Sequence, residues 1–384
     1  MIISIQRVNM VSDKKTRVFM TSTSFPRDGK DWKATFIRSM VNSLAARPDI
    51  ELTFWGPRGE LPPNVGYATS VNDAEWFDKL LNMGGMANVL RKKNLSSITT
   101  VLGLIRRLRA AYANSPGTEV FHANWMQSVI SFRRDGRPLL VTVLGTDFAL
   151  LKLPAVIYLL RRVFCRGPCI IAPNADWMVP RLEACFGDVA TIRCIPFGID
   201  STWFEISRTI SKPGTHRWLL VSRITRGKIG QLFEWGDNIF RNEHELHVFG
   251  PMQEKIAMPS WVRYHGATNP AELRQKYFPT ASGLVTLSEH DEGRPQVMLE
   301  AMAAGLPIIA SPLTAHLDII KDGETGLIVH SREELRNALG KLSGPEENTR
   351  IGMNAKSWVK AHLGTWDDCA QRYVSAYKFL TGAG

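Results

Sequence analysis

Short apolar runs alternate along this chain with longer stretches in which apolar residues recur every three or four positions. The short runs at 17–21, 50–55, 119–121, 138–144, 169–171 and 192–195 predict strands, and the periodic stretch at 34–46 predicts a helix. A polar segment at 207–215, containing Pro213-Gly214, has the composition of a linker, with a hinge expected over 198–214. The alternation then restarts, with strands at 217–221, 246–249, 262–265 and 283–287 and helices at 331–341, 347–362 and 366–380. Strands separated by helices predict an α/β chain with mainly parallel, doubly wound sheets. The boundaries are a first domain at 1–198, a linker at 199–215, a second domain at 216–362 and a terminal helix at 363–384. Ligands of such sheets lie beyond the carboxyl ends of strands, which makes the turn-rich loop 22–30, with Gly29, a pocket wall.

The stretch from Ser288 to Ala310 concentrates candidate chemistry. It opens with acidic, loop-forming residues and ends in a strand-like Pro307-Ile308-Ile309-Ala310. Between them a helix is predicted: Pro295 suits its first position, Gly305 suits the left-handed position past its end, and Pro307 blocks continuation. The unpaired N–H groups and dipole of such a helix start favour a negative group such as a phosphate. Glu292 precedes this helix and Glu300 lies inside it, among Val297, Met298, Leu299, Ala301, Met302, Ala303 and Ala304. An ionised carboxylate in that run needs a partner. A pair of sugar or ribose hydroxyls is one; a neighbouring Arg or Lys is the other.

Composition narrows the class. A chain of 384 residues is too long for one ordinary core, in keeping with two domains. No run approaches about eighteen apolar residues, so no spanning helix is expected. The N-terminus lacks the charged region and small-residue cleavage site of a secretory signal. Cys165 and Cys169 lack zinc or redox spacing, and five cysteines is an odd number, so reduced thiols in a cytoplasmic protein are expected.

The charge is uneven. Residues 1–200 hold 26 Lys and Arg against 16 Asp and Glu, whereas residues 201–384 hold 21 against 20. A basic half suits nucleic acid, an anionic membrane or an acidic substrate. No zinc finger, RRM-like aromatic signature or GXXG clamp is present, so nucleic acid is not expected. Residues 89–113 predict an amphipathic helix on which Leu95, Ile98, Val101, Leu102 and Ile105 share a face, with Arg91, Lys92, Lys93, Arg106, Arg107 and Arg109 near its two ends. Such a helix either packs on the sheet or lies on anionic lipid.

The motif E-G-R-P-x-x-x-L-E-A-M-A-x-G-x-P-I-I-A, from Glu292 to Ala310, resembles the E-x7-E signature of GT-B glycosyltransferases. The likeness is to the large retaining family, glycosyltransferase family 4-like, and continues through Asp322 to Val329, similar to its D-G-x-T-G-x-L-V. The resemblance implies two Rossmann-like domains facing a central cleft, with the C-terminal helix crossing back to the first. Ile195 to Asp200 resembles the family's domain junction, and Ser222 to Lys228 resembles its G-R-L-x-x-x-K-G segment, with Ser222 for the usual Gly and Ile229 before Gly230.

By that resemblance Arg223 and Lys228 hold the donor's diphosphate, Glu300 the ribose hydroxyls and Glu292 the hydroxyls of the transferred sugar. Ser222, Gly266 and the helix start at Gly293, Arg294, Pro295 and Gln296 complete the donor site. In the first half, Thr142 to Asp147 resembles T-x-H-G-x-D, with Leu144 in place of the His; Gly145 and Asp147 remain, and Asp147 is expected in the cleft with a catalytic part. His122 matches a family His after a strand, and His316 stands where many members have a Gly-Gly turn; with Gly29 and Gly145 they are acceptor-side or cleft candidates.

The implied activity is retaining hexosyl transfer from a nucleotide-diphosphate sugar to a glycan or lipid-linked acceptor, in bacterial polysaccharide or lipopolysaccharide synthesis. The two cations replace a metal ion, and no cofactor is implied. The implied location is the cytoplasm, peripheral on the inner face of the membrane through the Arg91–Arg109 region. A nucleotide-sugar-binding scaffold subunit and a sugar phosphorylase or hydrolase on the same fold remain as alternatives.

Overall fold

The computed structural model describes residues 15–382, apart from 30, 87–88, 90–94, 133–135, 210–213 and 291. Arg91, Lys92 and Lys93 and the middle of the linker lie outside the described residues.

Two parallel sheets form the frame. The first runs in the order β3-β2-β1-β4-β5-β6-β7, from β1 (Thr16–Thr21), β2 (Ile50–Trp55), β3 (Gly66–Tyr67), β4 (Val120–Asn124), β5 (Leu139–Val143), β6 (Cys169–Pro173) and β7 (Thr191–Ile192). The second runs β10-β9-β8-β11-β12-β13, from β8 (His216–Val221), β9 (His244–Phe249), β10 (Val262–Gly266), β11 (Gly283–Thr286), β12 (Ile308–Ala310) and β13 (Leu327–Ile328). The central strands β4, β5 and β6 are buried along their whole length, as strands covered on both faces must be. That is why they read as continuous apolar runs rather than alternating ones.

Helices cover both faces of each sheet. On one face of the first sheet Leu104, Leu108 and Tyr112 of the Leu95–Ala113 helix pack beside Leu160 and Phe164 of the Pro154–Phe164 helix. Of the two readings of the face with Ile98 and Leu102, packing on the sheet is not the one observed: they are 58% and 59% exposed, because a second apolar stripe at 104, 108 and 112 takes the core side. The helices Val71–Asn82, Pro154–Phe164 and Val179–Phe186 add to the sequence-based expectation.

The opposite face is closed by the C-terminal helix, Trp366–Thr381. A capping box of Thr365 and Asp368 starts it, and Trp366, Tyr373, Val374, Tyr377 and Leu380 enter the first sheet's core. The chain therefore crosses between the sheets twice. The crossings run side by side, Ile199 N–H donating to Gly364 O at 3.1 Å, and Gly198 fits there because a Cβ would run into the Thr365 carbonyl.

Each sheet has one topological switch point. It lies between β1 and β4 in the first and between β8 and β11 in the second. Crevices form at such points, beyond the carboxyl ends of the strands.

Candidate active site

The loops that follow β8 and β11 carry Arg223 and Lys228 on one side and Ser288 and Glu292 on the other. The strand order alone thus brings these residues to one crevice. Lys228 Nζ forms an ion pair with Glu292 Oε1, and Ser288 Oγ donates to the same oxygen at 3.3 Å. Burial pulls the Lys228 ammonium below its ordinary pKa, while Glu292 pulls the other way. The guanidinium of half-buried Arg223 has no hydrogen bond or ion pair among the described residues. Ser222 is half-buried, its hydroxyl turned to the Arg223 carbonyl at 3.3 Å.

Glu300 stands inside the Gln296–Ala303 helix with no partner for its carboxylate among the described residues. Desolvation, with repulsion from Asp200, pushes its pKa up to about 8 against the pull of Arg274. An unpaired carboxylate in such surroundings is a functional-site feature rather than a stabilising one. The helix begins at Gln296, with Pro295 as its N-cap, one position later than expected. The N–H groups of Gly293, Arg294, Gln296 and Val297 have no acceptor among the described residues and form a ready anion site. Gly266 ends β10 with φ 75° and open space around its Cα, its carbonyl accepting from Gly250 N at 2.7 Å.

Other candidates point elsewhere. Gln296 Nε2 donates to Gly198 O at 3.0 Å, so this side chain serves the crossing rather than the crevice. The Arg294 guanidinium is turned away from the helix start, onto Asp318 (Nε to Oδ2, 3.0 Å) and Asp176 (Nη2 to Oδ2, 3.1 Å). A side chain only 2% exposed between two carboxylates is an ion-pair centre, so its expected donor contact is corrected to its backbone alone.

Asp147 is corrected too. It lies beneath the cleft, 2% exposed, with Oδ1 accepting from Leu144 N and Oδ2 from Met126 N, each at 3.0 Å. Burial raises its pKa to about 6 against those hydrogen bonds. Its work is to hold the loop that carries Gly145. His122 is likewise buried, its Nδ1 on Tyr377 Oη at 2.7 Å and its Nε2 on Thr142 Oγ1 at 2.8 Å, and burial drives its pKa down to about 3. It fastens the C-terminal helix and does not face the cleft. Gly29 sits on an exposed turn with nothing near it.

His316 is fully buried. Its Nδ1 reaches Ser311 O at 2.9 Å, its Nε2 has no partner among the described residues, and Glu292 and Lys228 act on its charge. Gly145, at φ 97°, packs on Gly293 so closely that a Cβ would run into the Gly293 nitrogen. A Cβ on Gly293 would lie 2.8 Å from both Leu144 O and Asn174 Oδ1. The two glycines are what let the first sheet's loops touch the second sheet's crevice.

Sequence reasoning missed Asp176, Trp177 and Asp318. No local spacing marks them, since the contacts of Asp176 with Arg294 and of Trp177 with Gly293 span 118 and 116 positions.

Comparison with known proteins follows the same division. Residues 222–344 match the family model described as Glycosyl transferases group 1. The chain is 29% identical over 149 residues to spore coat protein SA of Bacillus subtilis, covering 38% of each protein. It is 33% identical over 111 residues to a D-inositol 3-phosphate glycosyltransferase of Gordonia bronchialis, covering 28% of this chain and 23% of that one. To O-antigen chain mannosyltransferase B of Escherichia coli it is 25% identical over 137 residues, covering 35% of each. The chain therefore matches well under two thirds of these relatives' own lengths.

Among solved structures, sucrose-phosphate synthase of Thermosynechococcus elongatus superposes with a TM-score of 0.71 at 16% identity, over 96% of this chain and 100% of that one. Anabaena HepE in complex with UDP and glucose superposes with a TM-score of 0.61 at 12% identity, over 95% and 100%. These likenesses show the fold: two Rossmann-like sheets in the GT-B arrangement.

Proposed function

We propose that this chain, whose residues 222–344 match the glycosyl transferases group 1 model, is a glycosyltransferase that moves a sugar from a nucleotide-diphosphate donor to a glycan or lipid-linked glycan. The observation that carries the reading is the crevice at the β8–β11 switch point. It holds a free Arg223, an ion-paired Lys228, unpaired helix-start N–H groups and an unpartnered Glu300.

Transfer from a nucleotide sugar requires stabilisation of a leaving diphosphate and of a cation-like sugar centre. Arg223 offers a planar fork to phosphate oxygens and Lys228 a point charge, and with the helix start they neutralise the charge that develops on the diphosphate. Donor binding exchanges the Lys228–Glu292 pair for a Lys228–phosphate contact. Glu292 is thereby freed for the hydroxyls of the transferred sugar, and Glu300 takes those of the ribose. No side chain in this set serves as a dedicated nucleophile, which suits same-face displacement with retention. Asp147 acts only by shaping the loop under Gly145.

The site is cytoplasmic in this reading, with the first domain against the inner face of the membrane. Exposed Ile98, Leu102, Arg106 and Arg109 make one stripe on the Leu95–Ala113 helix, apolar at one end and basic at the other. Such a stripe suits anionic lipid and would bring a lipid-linked acceptor of surface-glycan synthesis to the cleft.

The test is a thermal-shift screen of the purified protein against UDP, GDP, ADP and CDP sugars without added metal. A ligand of the native state raises the melting temperature once its concentration exceeds the dissociation constant. One base class is expected to shift the melt in the wild type and to lose that shift in Lys228→Ala. Silence with all four would count against a donor site.

A further inference from the structure

Four side chains join the two sheets' loops at the mouth of the crevice. Two come from the second sheet: Arg294, after the loop that follows β11, and Asp318, after β12. Two come from the first: Asp176 and Trp177, after β6. Arg294 and Asp318 are bound through Nε to Oδ2 at 3.0 Å, with side chains 2% and 7% exposed. Arg294 Nη2 reaches across to Asp176 Oδ2 at 3.1 Å, and Trp177 N–H donates back to Asp318 Oδ1 at 3.1 Å. Trp177 Nε1–H donates to Gly293 O at 2.8 Å, while its ring stands edge-on to Phe148 at 5.0 Å. Gly293 has no side chain to fix its own conformation, and its carbonyl takes this one contact from the first domain.

We infer that Asp176 and Trp177 are positioning residues for the donor loop: with Arg294 and Asp318 they latch the 292–295 segment across the cleft and set the Gly293 backbone for the donor diphosphate. This rests on reading that segment as the donor loop.

The parts of the latch differ in strength, and that difference makes it releasable. The Arg294–Asp318 pair lies within the second domain and is buried, so breaking it would leave an uncompensated charge. The Asp176 carboxylate is 71% exposed, and an exposed ion pair is screened and weak. The Trp177–Gly293 bond is a single neutral hydrogen bond. The docking point is therefore permanent, whereas the contacts that cross the cleft are few. They can be made and broken as the cleft closes on a donor and reopens. The trans peptide 293–294, held by its carbonyl toward the first domain, directs the Arg294 N–H the opposite way.

Asp176→Asn and Trp177→Phe test the latch from its first-domain side, where the fold does not depend on it. Phe keeps the ring against Phe148 and the backbone N–H, and loses only the Nε1 donor. In the full-length unliganded protein, amide hydrogen exchange over 292–295 should accelerate in both variants, with exchange in the β4–β6 strands unchanged. Asp176→Glu should restore it. With the donor found by thermal shift, the donor KM should rise roughly tenfold while kcat stays within about twofold, since pre-positioning acts on binding. Unchanged exchange at 292–295 in both variants overturns the latch, whatever the donor proves to be. Faster exchange in a protein that binds no nucleotide sugar would leave the latch standing and sink the transferase reading instead.

Discussion

Glu300 is held in the unliganded protein against its own preference for water. Its ordinary value is 4.5 and burial lifts it to about 8, so the folded protein keeps a proton that the unfolded chain releases. The sign follows: below pH 4.5 the site costs nothing, and stability falls as pH rises toward 8. Glu300→Gln should therefore melt above the wild type at pH 8. The crevice admits some water, which limits the gain to about 1–2 kcal/mol. The same variant should lose most of the donor-induced shift. Donor hydroxyls favour the ionised carboxylate, so donor affinity should strengthen between pH 6 and 8, by up to roughly tenfold per unit. Calorimetric titrations across that range decide it, and a flat profile would remove Glu300 from the ribose. Asp200 and Arg274, which flank it, oppose one another and leave desolvation dominant. Arg223→Ala and Lys228→Ala should each lower kcat/KM by about a hundredfold or more; Arg223→Ala should leave the melt nearly in place, whereas Lys228→Ala should also lower it, because Glu292 loses its ion-pair partner. Retention of wild-type rates in both would refute the diphosphate assignment.

Among the elements, the C-terminal helix is the one whose loss the first domain could not absorb. Its Tyr377 caps His122, and its Tyr373 meets Thr142 Oγ1 at 3.0 Å, all four side chains fully buried. Tyr377→Phe should cost about 1–3 kcal/mol, read as a lower urea midpoint with an unchanged slope. An unaltered midpoint would mean the bond carries nothing. His122, with its pKa near 3, stays neutral in the fold, whereas the unfolded chain takes up a proton below 6.5. Stability is thus lost as pH falls from 6.5 toward 3, by about 2–3 kcal/mol at pH 4.5.

Most helices and strands were legible because each obeys one period over enough residues. Those that were not have reasons. β3 and β13 are two residues long, too short to show alternation, and β7, expected over 192–195, covers only Thr191–Ile192. The Pro154–Phe164 helix is a near-continuous apolar run, which periodicity does not separate from a buried strand.

At the scale of the molecule, charge and function divide along the same line. The excess of Lys and Arg lies in the first half, while the second half is nearly balanced. No described helix is long and apolar enough to cross a membrane, and the exposed stripe on Leu95–Ala113 offers contact without insertion across it. The protein should therefore sediment with vesicles containing phosphatidylserine, less so as salt rises. Ile98→Glu with Leu102→Glu should abolish that sedimentation without changing the melt by more than a few degrees, since neither side chain is in the core. Equal sedimentation of the double variant would assign the stripe to something other than lipid. Gly145, after β5, packs on Gly293, after β11, so the loops at the carboxyl ends of the two sheets meet, and in the proposed reading an acceptor held by the first domain meets a donor held by the second.

The sequence by itself determined the two-sheet α/β architecture and the residues from which the proposed donor site is built. Both are local: Arg223 and Lys228 share one loop, Glu292 and Glu300 flank one helix start, and the parallel, doubly wound arrangement follows from the alternation. Only the tertiary structure decided which way side chains of the right type point. Asp147, His122 and Arg294 have the residue types a site would use. Each is committed to holding elements together, because a buried polar group must satisfy its hydrogen bonds wherever the fold provides them. The latch partners were invisible for the same reason. Asp176 and Arg294 meet only after two sheets have formed and two glycines have let them touch, and no spacing along one chain encodes a contact made between two folded surfaces.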